Sequence, residues 1–144
     1  MLDATDLRIL NILQDDARTS NADIARQIGL APSAALERLR KLERSGVIRG
    51  YTVRIDPRAL GQALVAFVFV RSDERVGAVR TARALAGLDG VQEVHHIAGE
   101  DCFLVKVRAT DTEGLGRLLR EKFGSIPMVR STRTTIVLET VKES

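Results

Sequence analysis

Gly29 stands between two short segments that each carry apolar residues at helical spacing, and this arrangement constrains the chain more than any other feature. Upstream, Ser20 is placed to cap a helix, Asp23 follows three residues later as in a box-like start, and Ile24, Ala25 and Ile28 form the apolar side. Gly29 ends that helix, because the residue just past a helix commonly needs a positive φ that glycine adopts freely. Downstream, Pro32 suits the first position of another helix, where its missing N–H costs nothing. There Ala35, Leu36, Leu39 and Leu42 fall on one side, while Ser33, Ala34, Glu37, Lys41 and Arg44 fall opposite, with Arg38 and Arg40 at the flanks. An earlier helix opens at Asp3 or Thr5 and carries Leu7, Leu10 and Leu13, with Ile9 and Ile12 widening the stripe, until the polar run Asp15 to Thr19 breaks it. Gly46 closes the third helix, and Val47 to Val53 alternates like a strand. Three helices with a trailing strand predict a winged helix-turn-helix unit.

A short exposed helix bearing such a row of polar residues fits the major groove of double-stranded DNA. The net charge of +3 for the whole chain is too small to establish that partner, but its distribution is informative. Ser33 to Arg58 contains Arg38, Arg40, Lys41, Arg44, Arg49, Arg54 and Arg58 against Glu37, Glu43 and Asp56, so the positive charge concentrates where DNA would lie. In this reading Arg38, Arg40, Lys41 and Arg49 grip phosphate, and Ser33, Ala34 and Glu37 lie nearest base edges. The start of the second helix, at Ser20 and Asn21, offers backbone N–H groups to phosphate. Three small helices also occur in modules that contact only protein, so a metabolite-sensing interaction module without DNA binding is the alternative. Glu37 favours that alternative because phosphate repels it, unless it accepts from a cytosine amino group.

After Asp56-Pro57 and Gly61 the pattern changes to alternating strand and helix. Ala63 to Val70 reads as a strand, Val76, Val79 and Ala82 to Ala86 as a helix ending near Gly87, and Val91 to Ile97 and Cys102 to Arg108 as two strands. Thr110 with Glu113 makes a capping box for a helix bearing Leu115, Leu118, Leu119 and Phe123, and Val129 to Glu139 is the last strand. The order βαββαβ predicts a ferredoxin-like sandwich, so the chain is α+β overall. Its expected divisions are a helix-turn-helix domain over 1–50, a hinge strand and linker over 51–61, and a sandwich domain over 62–144. The first strand is apolar on both faces: Leu64, Ala66, Val68 and Val70 on one, Val65, Phe67 and Phe69 on the other. Helices cover one face only, so a second copy of the sheet is the simplest cover for the other, and a homodimer is expected.

Enzyme and metal chemistry find little support. His95 and His96 are neighbours on a strand and so point to opposite faces, and no spaced ligand pairs, phosphate loop or nucleophile elbow exists. Cys102 reads as a small buried hydrophobe rather than a nucleophile. No catalytic residue, metal or cofactor is expected. The longest apolar run, Ala63 to Val70, falls far short of the roughly 20 residues a membrane helix needs. The N-terminus lacks the basic-then-apolar pattern of a signal peptide, and a single cysteine fits a reducing compartment, so the expected address is cytoplasmic.

Gly29-Leu30-Ala31-Pro32-Ser33, Arg38, Leu42-Glu43 and Ser45 to Tyr51 together resemble the helix-turn-helix of the Lrp/AsnC (feast/famine) transcription regulators. So do Leu2 to Asp6, Ile9-Leu10, Leu13-Gln14, Asp16 to Arg18, Asp56-Pro57, Leu60-Gly61 and Gly99 to Val107, in order along essentially the whole chain. The resemblance implies a DNA-binding head, a hinge strand and a ferredoxin-like effector domain, with dimers that often build tetramers or octamers. It also implies a small-molecule effector, commonly an amino acid, near Ile97 to Cys102. Backbone N–H groups at Gly99, Glu100, Asp101 and Cys102 are the expected carboxylate holders, with help from Thr132 or Thr134 on the last strand of the same or a neighbouring subunit. Gly99-Glu100-Asp101-Cys102 departs from the commoner family form, which has an aromatic residue before an aspartate, and Ala31 replaces a frequent capping serine.

Overall fold

The computed structural model describes residues 1–144, which divide into two compact units, Met1–Arg54 and Ile55–Ser144. The boundary between them falls a few residues beyond the expected end of the head at residue 50.

The first unit holds α1 (Ala4–Asp15), α2 (Asn21–Ile28) and α3 (Pro32–Arg44). Asp3 opens α1 through a full capping box with Asp6, its carboxylate accepting from the Asp6 N–H at 2.8 Å and the Asp6 carboxylate accepting in return at 3.1 Å. Ser20 caps α2 by accepting from the Asp23 N–H, but the Asp23 side chain pairs with Arg26 instead of closing a box. Gly29 ends α2 with φ 73, and the Leu30 N–H returns to the Ala25 carbonyl. That left-handed residue lets the chain enter α3 within three residues. Ile9, Ile24, Ala25, Ile28, Ala35 and Leu42 form the core, flanked by Leu10, Ile12, Leu13, Leu39 and Ile48.

Val47 to Val53 differs from expectation: no strand forms there. The segment is held by the Ile48 N–H on the Leu42 carbonyl and by the Tyr51 hydroxyl on Glu43 at 2.8 Å, and Val53 is 79 % exposed. Alternation sets which side chains share a face, but a ladder also needs a partner strand, and this chain supplies none at that place. The expected hinge strand over 51–61 is likewise interrupted. Pro57–Leu60 is a 3-10 turn capped by Asp56, whose carboxylate accepts from the Arg58 N–H, and the fixed φ of Pro57 suits that turn better than a paired strand.

The second unit contains β1 (Leu64–Ser72), α4 (Arg80–Ala86), β2 (Val91–His96), β3 (Phe103–Ala109), α5 (Thr112–Arg117) and β4 (Val129–Ile136). The strands make one sheet in the order β2-β3-β1-β4, with all neighbours antiparallel. This is the βαββαβ sandwich anticipated. Ala66, Val68 and Val70 of β1 and Phe103, Val105 and Val107 of β3 are buried against Leu85, Leu115, Phe123 and Ile126. Helix α4 starts only at Arg80, so Val76 and Val79 precede it, and both are exposed. The cap of α5 is Asp111, one residue later than expected. Its carboxylate accepts from the Gly114 N–H at 2.7 Å, and Glu113 pairs with Arg117 rather than completing a box with Thr110. Beyond α5 the helical path widens at Leu118–Lys122, which seats Phe123 in the core. β4 ends at Ile136, three residues short of the expected Glu139.

Candidate functional site

On α3, Ser33, Glu37, Lys41 and Arg44 are exposed and spaced so that they share one face, with Arg40 exposed beside them and Ala34 half-buried at the near end. Arg49 is exposed just past the helix. Arg40, Lys41, Arg44 and Arg49 take part in no ion pair within the chain. Arg38 is different, because it is engaged within the bundle. Its guanidinium donates to Asp3 at 2.7 Å and to Asp6 at 3.1 Å, tying α3 to the start of α1. These bonds hold the Asp3 carboxyl below its ordinary value and raise Arg38 above its own. Two carboxylates therefore compete for the charge that would meet a phosphate. Asn21 braces the bundle as well, because its side-chain amide donates to the Pro32 carbonyl at 2.8 Å and fixes α2 against the first turn of α3. Ser20 is exposed, with its hydroxyl engaged as the α2 cap.

In the second unit the loop between β2 and β3 is tied down at both ends. The Ile97 N–H reaches the Cys102 carbonyl, and the Cys102 N–H reaches the Val70 carbonyl, both at 2.9 Å. Cys102 is thus removed from the set of free backbone donors, while its half-buried thiol lies 3.4 Å from the Ser72 nitrogen. The N–H groups of Gly99, Glu100 and Asp101 remain outside the ladder, and Gly99 has φ 131, a region that favours glycine. Within one chain Thr132 and Thr134 lie on the other face of the sheet from Arg133. In register they face Val70 and Val68, whose side chains are buried under the helices, so both threonines belong to the covered face. The residue between them reaches the loop: Arg133 donates to Asp101 at 2.8 Å, with its guanidinium carbon 4.1 Å from the centroid of the Phe69 ring. Strand parity was the signal that could have found it, since Arg133 has the parity of Phe69 and the threonines that of the core. His95 and His96 point apart as expected, His95 toward Glu93 at 3.1 Å and His96 against the Phe103 ring.

Val65, Phe67, Phe69 and Leu104 share the face of the sheet away from the helices and are only half-buried. Lys106 lies on the same face and pairs with Glu143 at 3.6 Å.

Residues 65–144 match the model of the Lrp/AsnC ligand binding domain, and residues 2–49 match a winged helix-turn-helix DNA-binding model. The chain belongs to the Lrp/AsnC family. It is 39 % identical over 145 residues to the leucine-responsive regulatory proteins of Salmonella typhimurium and Escherichia coli, a match spanning 99 % of this chain and 88 % of theirs. Among solved structures it is similar to Escherichia coli AsnC (TM-score 0.89, 28 % identity, 100 % of this chain and 97 % of that one). It is also similar to a transcriptional regulator of Neisseria meningitidis in complex with L-Met (TM-score 0.92, 27 % identity, 100 % and 94 %). As an Lrp/AsnC protein, this chain is a DNA-binding, metabolite-sensing transcription regulator. No helix in it is long and apolar enough to cross a membrane.

Proposed function

We propose that the chain works as a homodimer that sets α3 of each head into the major groove and takes an amino acid at the Gly99 to Cys102 loop. The observation that carries the DNA part is the contrast on α3: Lys41, Arg40 and Arg44 point outward unpaired, while Arg38 is spent within the bundle. Arg40, Lys41 and Arg49 are the phosphate contacts, and Ser33, Ala34 and Glu37 face base edges. The first turn of α2, at Ser20 and Asn21, keeps backbone N–H groups for phosphate even though both side chains are engaged. The amino-acid ligand is supported by the L-Met complex of the Neisseria meningitidis regulator and by the free N–H groups of Gly99, Glu100 and Asp101. The dimer is supported by the apolar residues on the uncovered sheet face, and two heads fit a two-fold operator. Such a regulator works in the cytoplasm and needs no cofactor or metal.

The experiment is DNA affinity against salt, read by fluorescence anisotropy. The wild type should lose affinity by orders of magnitude between about 50 and about 200 mM salt. Lys41→Ala should weaken binding to every sequence and flatten the logarithmic salt slope by about one unit, whereas Arg38→Ala should leave that slope unchanged. An unchanged slope in Lys41→Ala would remove Lys41 from the phosphate contacts, and wild-type binding indifferent to salt would favour a protein-contacting head.

A further inference from the structure

The segment that leads from β1 into α4 carries arginines that nothing in the chain neutralises. Arg75, Arg80 and Arg83 are exposed and take part in no ion pair or hydrogen bond through their side chains. The carboxylates of the same segment are used inward. Asp73 pairs with Arg130 at 3.3 Å. Glu74 accepts from the Thr81 N–H at 3.1 Å through one oxygen, and its other oxygen is buried. Arg80 and Arg83 stand three residues apart on α4 and share its outward side, while Thr81 and Leu85 are buried beneath. β1 ends beside the start of β4, where Ser72 pairs with Val129 and the Asp73 N–H reaches the Met128 carbonyl at 2.9 Å. The helical path after α5 enters the sheet at that same end and adds Arg120, also exposed and unpaired. Arg71 has the parity of Phe69 and belongs to the open face instead. Glu100 and Glu121 are the carboxylates left unpaired at this end, two against four arginines, so the helix side keeps a cationic patch.

We propose that this patch is a second DNA contact, through which the sheet unit holds the phosphate backbone beyond the base pairs that the heads read. This rests on the chain being a DNA-binding regulator. It concerns the helix side of the sheet, away from the face assigned to a second copy. The occupant follows from charge and shape. Duplex DNA presents one negative charge about every 1.7 Å along its axis and continues past any operator. Arginine forks take phosphate oxygens two at a time and do so without regard to sequence. Each arginine that meets a phosphate releases condensed counterions, so these contacts add to the salt dependence of binding and not to its sequence preference. The patch therefore lengthens the track of DNA that the protein holds, while α3 chooses where that track is centred.

The test is fluorescence anisotropy of the full chain on two labelled duplexes. One has about 20 base pairs, room for two half-sites one helical turn apart, and the other extends the same sequence to about 100 base pairs. The variant is Arg80→Gln with Arg83→Gln, whose circular dichroism should match the wild type because neither side chain has a partner in the fold. The wild type should show a steeper logarithmic salt slope on the long duplex than on the short one. On the long duplex the variant should lose about one unit of slope per lost contact, and on the short duplex it should coincide with the wild type. Arg75→Gln with Arg120→Gln should act in the same way, which frees the result from any effect on α4. An unchanged slope on the long duplex would overturn the proposal and leave an acidic protein as the occupant of the patch. An equal loss on both duplexes would overturn it too, because it would report overall charge or the heads' own contacts. Lys41→Ala, by contrast, should flatten the slope on both. Absence of wild-type binding to either duplex would overturn the DNA-binding reading itself, and this proposal with it.

Discussion

The two units of this chain solve the problem of apolar surface in different ways. In the head, helices α1, α2 and α3 turn their apolar stripes inward on Ile9, Ile24 and Leu42, and the outward face of α3 is polar and basic. In the sheet unit, one face is sealed by Leu85, Leu115 and Phe123, while the other keeps Val65, Phe67 and Phe69 half-exposed. A unit that closes its own core leaves its surface for a charged partner. A unit that leaves apolar area open is shaped for association with something equally apolar. The difference supports the proposal that the first unit meets DNA and the second a further copy of the chain, and each part of it can be broken separately.

The largest effect should come from adjacent residues of β1. Phe67 lies on the open face and Val68, at 0 % exposure, on the sealed one. Phe67→Glu should leave the circular dichroism spectrum intact but convert the dimer to monomer in sedimentation velocity. Val68→Glu buries a charge without a partner and should cost several kcal/mol, enough to unfold the sheet unit. A wild-type monomer, or a Phe67→Glu variant that still dimerises, would show that the open face is not the contact.

The smaller effects lie in the head, where polar contacts rather than area distinguish one helix end from another. Asp3 is held below the usual carboxylate value of 3.8 chiefly by its hydrogen bond to Arg38. A carboxyl depressed in the folded state contributes stability that is fully present above its unfolded value and is lost as pH falls through its folded one. The thermal transition of the head should therefore drop as pH falls below about 4, and Arg38→Ala should flatten that drop. The same dependence in wild type and variant would mean that the Asp3–Arg38 bond does not persist in solution.

Arg38 also shows where sequence reasoning reached its limit. Ser20, Gly29 and Pro32 announce the ends of α2 and α3 by local chemistry, and all three hold in the structure. The alternation of β1 likewise foretold which of its residues would share a face. Arg38 looked like one more cation on a basic helix, because its partners Asp3 and Asp6 lie over thirty residues away and only the bundle brings them close. On β4 parity separates neighbours: Thr132 and Thr134 have the parity of the core residues Val70 and Val68, and Arg133 between them reaches Asp101. Val47 to Val53 had the right pattern but no partner strand. Local signals carried the elements, and tertiary pairing decided which side chains remained free.

The smallest expected effect concerns the one interhelical turn that the sequence left incompletely capped. Ala31 occupies the cap position of α3 with φ −64 and ψ 147, the extended geometry that a capping side chain requires, yet no side chain accepts from the first turn of that helix. Ser20, the corresponding residue of α2, has φ −67 and ψ 154 and does accept, from Asp23. The backbone is therefore already in place, and only the hydroxyl is missing. Ala31→Ser should stabilise the head by about 1 kcal/mol. In a unit this small, that shift should raise its thermal midpoint by roughly 4 to 8 °C. Ser20→Ala should lower the midpoint by a comparable amount, and neither change should alter the salt slope of DNA binding, since no charge is added or removed. If Ala31→Ser left the midpoint unchanged, water would be satisfying the first turn of α3 as well as a side chain does, and the head would owe its stability to the buried stripe alone.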